Sequence, residues 1–175
     1  MLREIVETLV LAAIIYAAVN LTTARRVVQG PSMLPTLETG QYLIVSRLAY
    51  RFGEPQRGDI VVFHPSTFPE EDVVKRIIGL PGETVSIHGQ QVFINGQLLD
   101  EPYVGVQNPS DGAWEVPEGY YFVMGDNRNN SLDSRTWGPL AADRIIGPAW
   151  LCYWPPSRWG IVEHYRYYES EPTEP

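Results

Sequence analysis

The sequence predicts a mainly β protein with a single helix at its N-terminus. Three observations lead to this prediction: one charge-free apolar run near the start, short β-branched runs separated by turns along the remainder, and fifteen glycines and fifteen prolines among 175 residues. Hydrophobic residues make up 44%, which is enough for the core of one domain. We expect an apolar helix followed by a compact, antiparallel, barrel-like β-domain.

Charge and cysteine content exclude several classes of protein. The net charge is −8, whereas a nucleic-acid-binding domain normally presents a basic face, so no nucleic-acid partner is predicted. Cys152 is the one cysteine, which excludes an internal disulfide and a zinc site built from four cysteines. The sequence has no phosphate-binding loop, dinucleotide fingerprint or His/Cys ligand cluster, and we therefore predict no cofactor and no metal.

Residues 1–24 are predicted to form a membrane anchor helix with a short cytoplasmic start. The run Ile5–Leu21 carries no charge between Thr8 and Val19, and about 17–25 apolar residues span a bilayer. A cleaved signal peptide and a buried amphipathic helix are the alternatives, although apolar side chains all round the helix argue against the second. The lipid bilayer is therefore the first predicted partner.

The β-domain is predicted over residues 25–165. The runs that are typical of strands and their turns are GQYLIVSRLAYRF (40–52), RGDIVVFHP (57–65), DVVKRIIGLPGETVSI (72–87), QQVFINGQLLDEPYV (90–104), YYFVMGDN (120–127) and IIGPAWLCYWPP (145–156). Asn95-Gly96 predicts a hairpin, within an extension near residues 84–120. We expect a surface loop at residues 108–119 and a solvated acidic tail at residues 166–175.

A serine stands between two prolines soon after the apolar run, in GPSMLPT at Gly30–Thr36. Pro31 and Pro35 fix φ and lack a backbone donor, so this stretch lies neither in mid-helix nor in mid-strand. Such a rigid loop would hold the hydroxyl of Ser32 in one direction, close to the membrane, because a tether of eleven residues reaches at most about 40 Å. A proline-rich turn with a locally capping serine is the alternative.

A serine hydroxyl needs a base before it can act as a nucleophile. Lys75 is the one lysine, against twelve arginines, and it lies in the β-branched run DVVKRII. On a strand it would share a face with Val73 and Ile77, while Arg76 points to the other face. Burial there would lower the pKa of the amine, and a shift from about 10.4 to 7–8 corresponds to ~4 kcal/mol. A lysine that protects an edge strand from aggregation is the alternative.

The three histidines are alternative bases. His64 follows an apolar run, His88 lies at a predicted turn and His164 lies near the tail. None has a recognisable local motif, but catalytic triads are assembled by the fold rather than by neighbours in sequence. A Ser-His-Asp triad therefore stays open at this level.

A polar loop, MGDNRNNSLDSRTWGP at Met124–Pro139, is the third candidate element. Its charged and amide side chains have few apolar neighbours, so they must satisfy one another's hydrogen bonds. Ser131 is a candidate to hydrogen-bond a neutral lysine amine and orient it. A solvated loop is the alternative, and residues 129–131 also match a glycosylation acceptor, a pattern that often occurs by chance.

Four segments, in this order, resemble the bacterial type I signal peptidases, or leader peptidases, of the Ser/Lys-dyad class: GPSMLPTL, RGDIVVF, VVKRIIGLPGE and GDNRNNSLDSRTWGP. They cover most of the chain from Gly30 to about Pro155, and the N-terminal anchor also fits. The resemblance implies a β-domain of the signal-peptidase type. It also implies a membrane-bound serine endopeptidase that removes signal peptides from exported preproteins through an acyl-enzyme, cleaving after small residues of the Ala-x-Ala type.

The resemblance implies a role for each matching residue. Ser32 matches the nucleophile, Lys75 the general base and Ser131 the serine that orients the lysine. The backbone N–H of Ser32 matches one oxyanion donor, but Gly30 stands where some members carry a hydroxyl, so the second donor is not identified. The other matches are two ion pairs and the walls of the substrate pockets: Asp126 with Arg76, Asp133 with Arg135, and Val28, Met33, Leu37, Leu43, Val62, Val73 and Val74.

The resemblance also implies an orientation, which charge alone does not. Arg25 and Arg26 follow the apolar run, and the positive-inside rule would keep them in the cytoplasm. Signal peptides are cut on the outer face, so we expect a single-pass protein of the bacterial plasma membrane with its β-domain on the extracytoplasmic side. An organellar inner-membrane peptidase and an inactive membrane-tethered adaptor on the same fold are the alternatives. A self-cleaving repressor would need a DNA-binding domain in place of Met1–Gln29.

Overall fold

The computed structural model describes residues 1–66, 70–105 and 111–167. Within these residues the fold is an N-terminal helix followed by two antiparallel sheets, which confirms the predicted mainly β class. The helices are α1 (Leu2–Thr22) and α2 (Ser134–Trp137). The strands are β1 (Thr23–Val27), β2 (Tyr42–Ser46), β3 (Ile60–Phe63), β4 (Val73–Gly79), β5 (Thr84–His88), β6 (Gln91–Ile94), β7 (Gln97–Leu98), β8 (Gly112–Glu115), β9 (Tyr120–Met124), β10 (Leu140–Ala141), β11 (Ile145–Trp154) and β12 (Gly160–Ile161).

Helix α1 is long and apolar enough to cross a membrane, with a mean hydropathy of 1.9 and no buried residue. Its 21 residues give a length of about 30 Å, which is the thickness of a bilayer's hydrocarbon core. The helix ends at Thr22, because the backbone of Thr23 is extended. The hydroxyls of Thr22 and Thr23 donate to carbonyls of the preceding turn. Because none of its residues is buried, α1 does not fit a buried amphipathic helix.

Strand β1 is an element that the sequence analysis did not predict. It pairs along its whole length with β2, from Thr23 opposite Ser46 to Val27 opposite Tyr42. The charges of Arg25 and Arg26 interrupt the apolar pattern, so no strand was visible there. The strand begins directly after α1 and leads the chain into the serine loop.

The larger sheet has the strand order β1-β2-β11-β3-β4-β9-β10, with β12 paired to β11. β11 joins the two halves of this sheet, since it pairs with β2 through one part and with β3 through the other. A side chain at Gly147 would overlap the carbonyl oxygen of Ser46, so the two backbones approach closely at this bend. The curled sheet brings the loop after β1 next to β4.

The smaller sheet has the order β7-β6-β5-β8, and its strands lie within residues 84–120, where the extension was expected. Asn95 and Gly96 both have positive φ, at 52° and 82°, as a tight two-residue hairpin requires. The expected surface loop at residues 108–119 is wrong for Gly112–Glu115, which form β8, because Trp114 packs against Phe122 with ring centroids 5.2 Å apart. Residues 106–110 lie outside the described part of the chain.

The C-terminal segment is described as far as residue 167. Arg166 forms an ion pair with Asp59, and the hydroxyl of Tyr167 is hydrogen-bonded to that of Tyr103, so these two residues contact the β-domain. The remainder of the expected acidic tail, residues 168–175, lies outside the described residues.

Candidate active site

Ser32 lies in a tightly tied loop that follows β1. Gly30 has a φ of 77°, which favours glycine, and its carbonyl accepts a hydrogen bond from the hydroxyl of Thr39 at 2.8 Å. The backbone N–H of Asn127 donates to the carbonyl of Ser32 at 3.0 Å, and its side-chain amide donates to that of Pro31 at 3.1 Å. The loop therefore holds a partly exposed serine in one orientation.

The side chain of Lys75 reaches Ser32 from β4. Its Nζ donates to the Oγ of Ser32 at 2.7 Å, and the residue is 4% exposed. Burial lowers the pKa of the amine to about 8, although the carboxylates of Asp133 and Asp126 oppose the shift. Above that pH the amine is neutral and can accept the hydroxyl proton of Ser32. The geometry and the pKa both suit a general base.

Arg76 points to the other face of β4, as the strand alternation predicted. Its Nε and Nη2 donate to the two oxygens of Asp126 at 2.9 and 2.8 Å, and its Nη1 donates to the carbonyl of Gly58 at 2.9 Å. Asp126 also accepts from the hydroxyl of Thr36 at 2.5 Å. This buried pair thus ties β4 to the serine loop.

Gly125 is in close contact with both Ser131 and the serine loop. A side chain at Gly125 would overlap both the hydroxyl of Ser131 and the carbonyl oxygen of Ser32, so only glycine lets this backbone approach both residues so closely. The hydroxyl of Ser131 is buried and has no hydrogen-bond partner among the described residues. Its orienting role toward the lysine therefore stays a prediction.

The second predicted ion pair shapes the loop that carries Ser131. Asp133 accepts hydrogen bonds from Arg135 Nε and Nη2, both at 2.8 Å, and from the backbone N–H of Gly125 at 3.0 Å. Gly125 was not among the predicted site residues, although its place between a predicted strand and a polar loop was a signal for it.

A cleft of about 230 Å³ opens beside the dyad. Ser32, Lys75 and four of the seven predicted wall residues line it, namely Val28, Met33, Val73 and Val74. The other three predicted wall residues belong to the buried core cluster of the larger sheet and not to the cleft's lining: Leu37, Leu43 and Val62. Sequence reasoning missed several lining residues, among them Gln29, Asp72, Leu132 and Trp137.

The histidines lie elsewhere in the described part of the chain. His64 is 3.4 Å from Asp72, which also forms an ion pair with Arg26. His88 packs against an aromatic ring of the hairpin, and His164 is hydrogen-bonded to two backbone groups. No described contact joins a histidine to Ser32, so the structure does not assemble the alternative triad.

The region around the serine N–H determines what can hold an oxyanion. Within the described ranges, the backbone N–H of Ser32 donates no hydrogen bond to a backbone carbonyl. Gly30 carries no hydroxyl that could serve as a second oxyanion donor. A side chain placed at this position would meet open space. The described residues also contain no group of three or more His, Cys, Asp or Glu that could hold a metal ion.

A serine hydroxyl joined to a buried lysine amine in a cleft is the arrangement of a serine hydrolase of the Ser/Lys class. A family model, signal peptidase (peptidase S26), matches residues 2–154. The chain therefore belongs to the signal peptidase family, and the resemblance of its four motifs is confirmed.

The chain is similar to curated members of this family. It is 43% identical over 170 residues to signal peptidase I of Leptolyngbya laminosa, covering 91% of this chain and 83% of that protein. It is 44% identical over 140 residues to signal peptidase I T of Bacillus subtilis, covering 73% of this chain and 72% of that protein. A crystal structure of a signal peptidase I from Enterococcus faecalis is 38% identical with a TM-score of 0.49, covering 54% of this chain and 95% of that chain.

Proposed function

We propose that Ser32 and Lys75 carry out signal-peptide cleavage in this protein. The chain is a serine endopeptidase that removes signal peptides from preproteins, and the Ser/Lys dyad is the mechanism of its family. The observation that carries the residue assignment is the 2.7 Å hydrogen bond between Lys75 Nζ and Ser32 Oγ, with the pKa of the amine lowered to about 8.

In the acylation step, the neutral amine of Lys75 takes the hydroxyl proton while the Oγ of Ser32 bonds to the scissile carbonyl carbon. The carbonyl oxygen becomes an oxyanion, which accepts a hydrogen bond from the N–H of Ser32. The C–N bond then breaks, and the Lys75 ammonium protonates the departing amine of the mature protein. Ser32 and the signal peptide are left joined by an ester.

In the deacylation step, the neutral amine of Lys75 takes a proton from water as the water oxygen attacks the ester carbon. The bond to Ser32 breaks, Lys75 returns a proton to the serine Oγ, and the signal peptide leaves as a carboxylic acid. One base therefore serves both steps, as the position of its Nζ beside the Oγ allows.

The cleft supports a preference for small side chains before the cut. Val28, Met33, Val73 and Val74 line it with apolar groups, and the three valines are stiff at χ1. A bulky residue would have to displace these walls, which adjoin the packed core. An alanine can be seated without that cost, in agreement with the Ala-x-Ala preference that the family resemblance implies.

Helix α1 supports a membrane-anchored protein, and the orientation is our proposal. We place the β-domain, residues 25–165, on the extracytoplasmic side of the bacterial plasma membrane, because exported preproteins present their cleavage sites there. Protease added to intact spheroplasts should then degrade the β-domain, and permeabilised cells serve as the accessibility control. Protection in intact spheroplasts would reverse the orientation.

The decisive experiment uses the full chain in detergent with a preprotein bearing Ala-x-Ala. We expect cleavage by the wild type and none above background by Ser32→Ala, whose circular dichroism should match the wild type. Replacing the alanine before the cut by phenylalanine should make the preprotein a poor substrate. An intact preprotein with both enzymes would instead favour the inactive adaptor.

The assignment of the base is tested by the pH dependence of kcat/KM. Because the free amine is the active form, activity should rise with pH through one ionisation near 8, the pKa to which burial lowers Lys75. His64→Asn should leave this acid limb in place. Loss of the limb in that variant would transfer the role of base to histidine.

A further inference from the structure

Glu101 and Tyr103 lie between β7 and β8 of the extension and reach back to the polar loop at Met124–Pro139, here called the catalytic loop. The carboxylate of Glu101 accepts two hydrogen bonds from the guanidinium of Arg128, at 3.0 and 2.5 Å, and the two side chains are only 7% and 1% exposed. The hydroxyl of Tyr103 donates to the same carboxylate at 3.0 Å, and its ring lies 3.9 Å from the guanidinium carbon of Arg76. The extension is therefore joined to the loop by buried charge rather than by loose packing.

The contacts of Arg128 continue toward the serine. Its Nε donates to the carbonyl of Gly125 at 3.0 Å, and its own carbonyl accepts from Arg135 at 2.8 Å. The preceding residue, Asn127, donates its backbone N–H to the carbonyl of Ser32 at 3.0 Å. The arginine that Glu101 holds is thus the direct chain neighbour of Asn127, which holds the backbone of the nucleophile.

We propose that Glu101 is a positioning residue for the dyad, acting through Arg128 and the loop that fixes the backbone of Ser32. The proposal rests on the assignment of Ser32 and Lys75 as nucleophile and base. Glu101 does not touch the reacting atoms. It places the serine N–H and Oγ relative to Lys75 by holding the loop in one register, and a displacement of about 1 Å in such a site lowers turnover by roughly 100-fold.

Replacing the carboxylate of Glu101 by a neutral amide should weaken its contact with Arg128. Glu101→Gln keeps the size of the side chain but offers Arg128 one carbonyl acceptor in place of a charged, two-point contact. The loop then gains freedom next to Ser32, while the wall residues Val73 and Val74 lie on β4. The effect should therefore appear in kcat and hardly in KM.

The chain offers a matched control at the other end of the extension. Arg57 donates to both carboxylate oxygens of Glu83, at 2.8 and 2.5 Å, and each side chain is 17% exposed. The further side-chain contact of Glu83 that the structure describes is to the backbone N–H of Leu80, not to the catalytic loop. Glu83→Gln should lower the melting temperature without changing turnover.

The test measures kcat, KM and melting temperature of the full chain in detergent, at a temperature where circular dichroism shows every variant folded. For Glu101→Gln we expect kcat to fall 10- to 100-fold with KM within about threefold of wild type, while Glu83→Gln keeps kcat within about twofold. A wild-type kcat for Glu101→Gln would overturn the proposal.

A double variant, Glu101→Leu with Arg128→Met, separates positioning from stability. Removing both charges avoids an unpaired buried ion, so the melting temperature should recover. We expect kcat to stay low. Recovery of kcat together with melting temperature would show a merely structural role and overturn the proposal.

This double variant also decides the question if Glu101→Gln does not fold. An inactive wild type, equal to Ser32→Ala, would mean that the dyad assignment fails rather than this inference.

Discussion

Lys75 and Arg76 are neighbours on β4, and both are buried cations, yet the two faces of the strand treat them in opposite ways. Lys75 meets the neutral hydroxyl of Ser32, and burial lowers its pKa to about 8. Burial also acts against the charge of Arg76, but the two-point contact with Asp126 outweighs it, and the pKa of the guanidinium is raised.

The difference shows what decides whether a buried cationic residue acts as a base or stabilises the fold. A buried amine that forms no ion pair can release its proton near neutral pH, so it can serve as a base. A guanidinium matched by a carboxylate keeps its charge and orders the residues around it. Strand alternation places the two side chains on opposite faces, but the partner that each face supplies decides the distinction.

The largest expected effect comes from replacing Lys75 by arginine, the residue type of its neighbour. Lys75→Arg should lower kcat/KM by roughly 10³–10⁴-fold, because a guanidinium cannot give up its proton near neutral pH. Preprotein cleavage measures this. The control is Arg76→Lys, which should retain more activity since its amine remains on the structural face. Substantial activity in Lys75→Arg would break the comparison.

Breaking the structural pair should mainly affect stability. Asp126→Asn leaves the guanidinium of Arg76 buried and without its counter-charge, so the free energy of unfolding should fall by about 3–5 kcal/mol. Urea denaturation followed by fluorescence measures the loss. Arg76→Met combined with Asp126→Leu should regain most of it, and a double variant as unstable as the single one would contradict the pairing.

Removing the buried amine should stabilise the protein in a pH-dependent way. Lys75 has a folded-state pKa of about 8, below its ordinary value of 10.5, so the unfolded chain binds the proton more tightly. The charged amine therefore costs the folded state about 3 kcal/mol below pH 8, and this cost disappears as the pH rises toward 10.5.

Lys75→Met, although inactive, should consequently unfold at higher urea concentration than the wild type. The gain should be full below pH 8 and shrink above it. Ser32→Ala is the control for loss of activity without removal of the amine. A gain that is equal at pH 7 and pH 10 would show that burial does not set this pKa.

The smallest expected effect concerns Ser131. Its hydroxyl is buried and has no hydrogen-bond partner in the part of the chain that the structure describes, so Ser131→Ala should leave stability unchanged or raise it by about 1 kcal/mol. If the hydroxyl orients the lysine during turnover, kcat/KM should fall about tenfold. Thermal unfolding and cleavage rates measure the two effects separately. Unchanged cleavage would remove Ser131 from the active site.

The sequence determined much of the architecture, because the signals are local. The charge-free run specifies α1, short runs of β-branched residues specify strands such as β3 and β4, and Asn95-Gly96 specifies a hairpin through positive φ. The same local signals misplaced residues 112–115, since glycine and exposed polar neighbours hid a strand that tertiary contacts of Trp114 stabilise.

The sequence also identified Ser32 and Lys75 as candidates, but only the tertiary structure brought them together. They are 43 positions apart, and the 2.7 Å contact depends on the curl of the larger sheet. Burial and charge pairing are properties of neighbours in space. For this reason a lowered pKa of Lys75 could be expected from the sequence, but its cause, the burial of the amine beside Ser32, is a property of the folded chain. The lining of the cleft, which does not include Leu37, and the Glu101–Arg128 pair became visible only there.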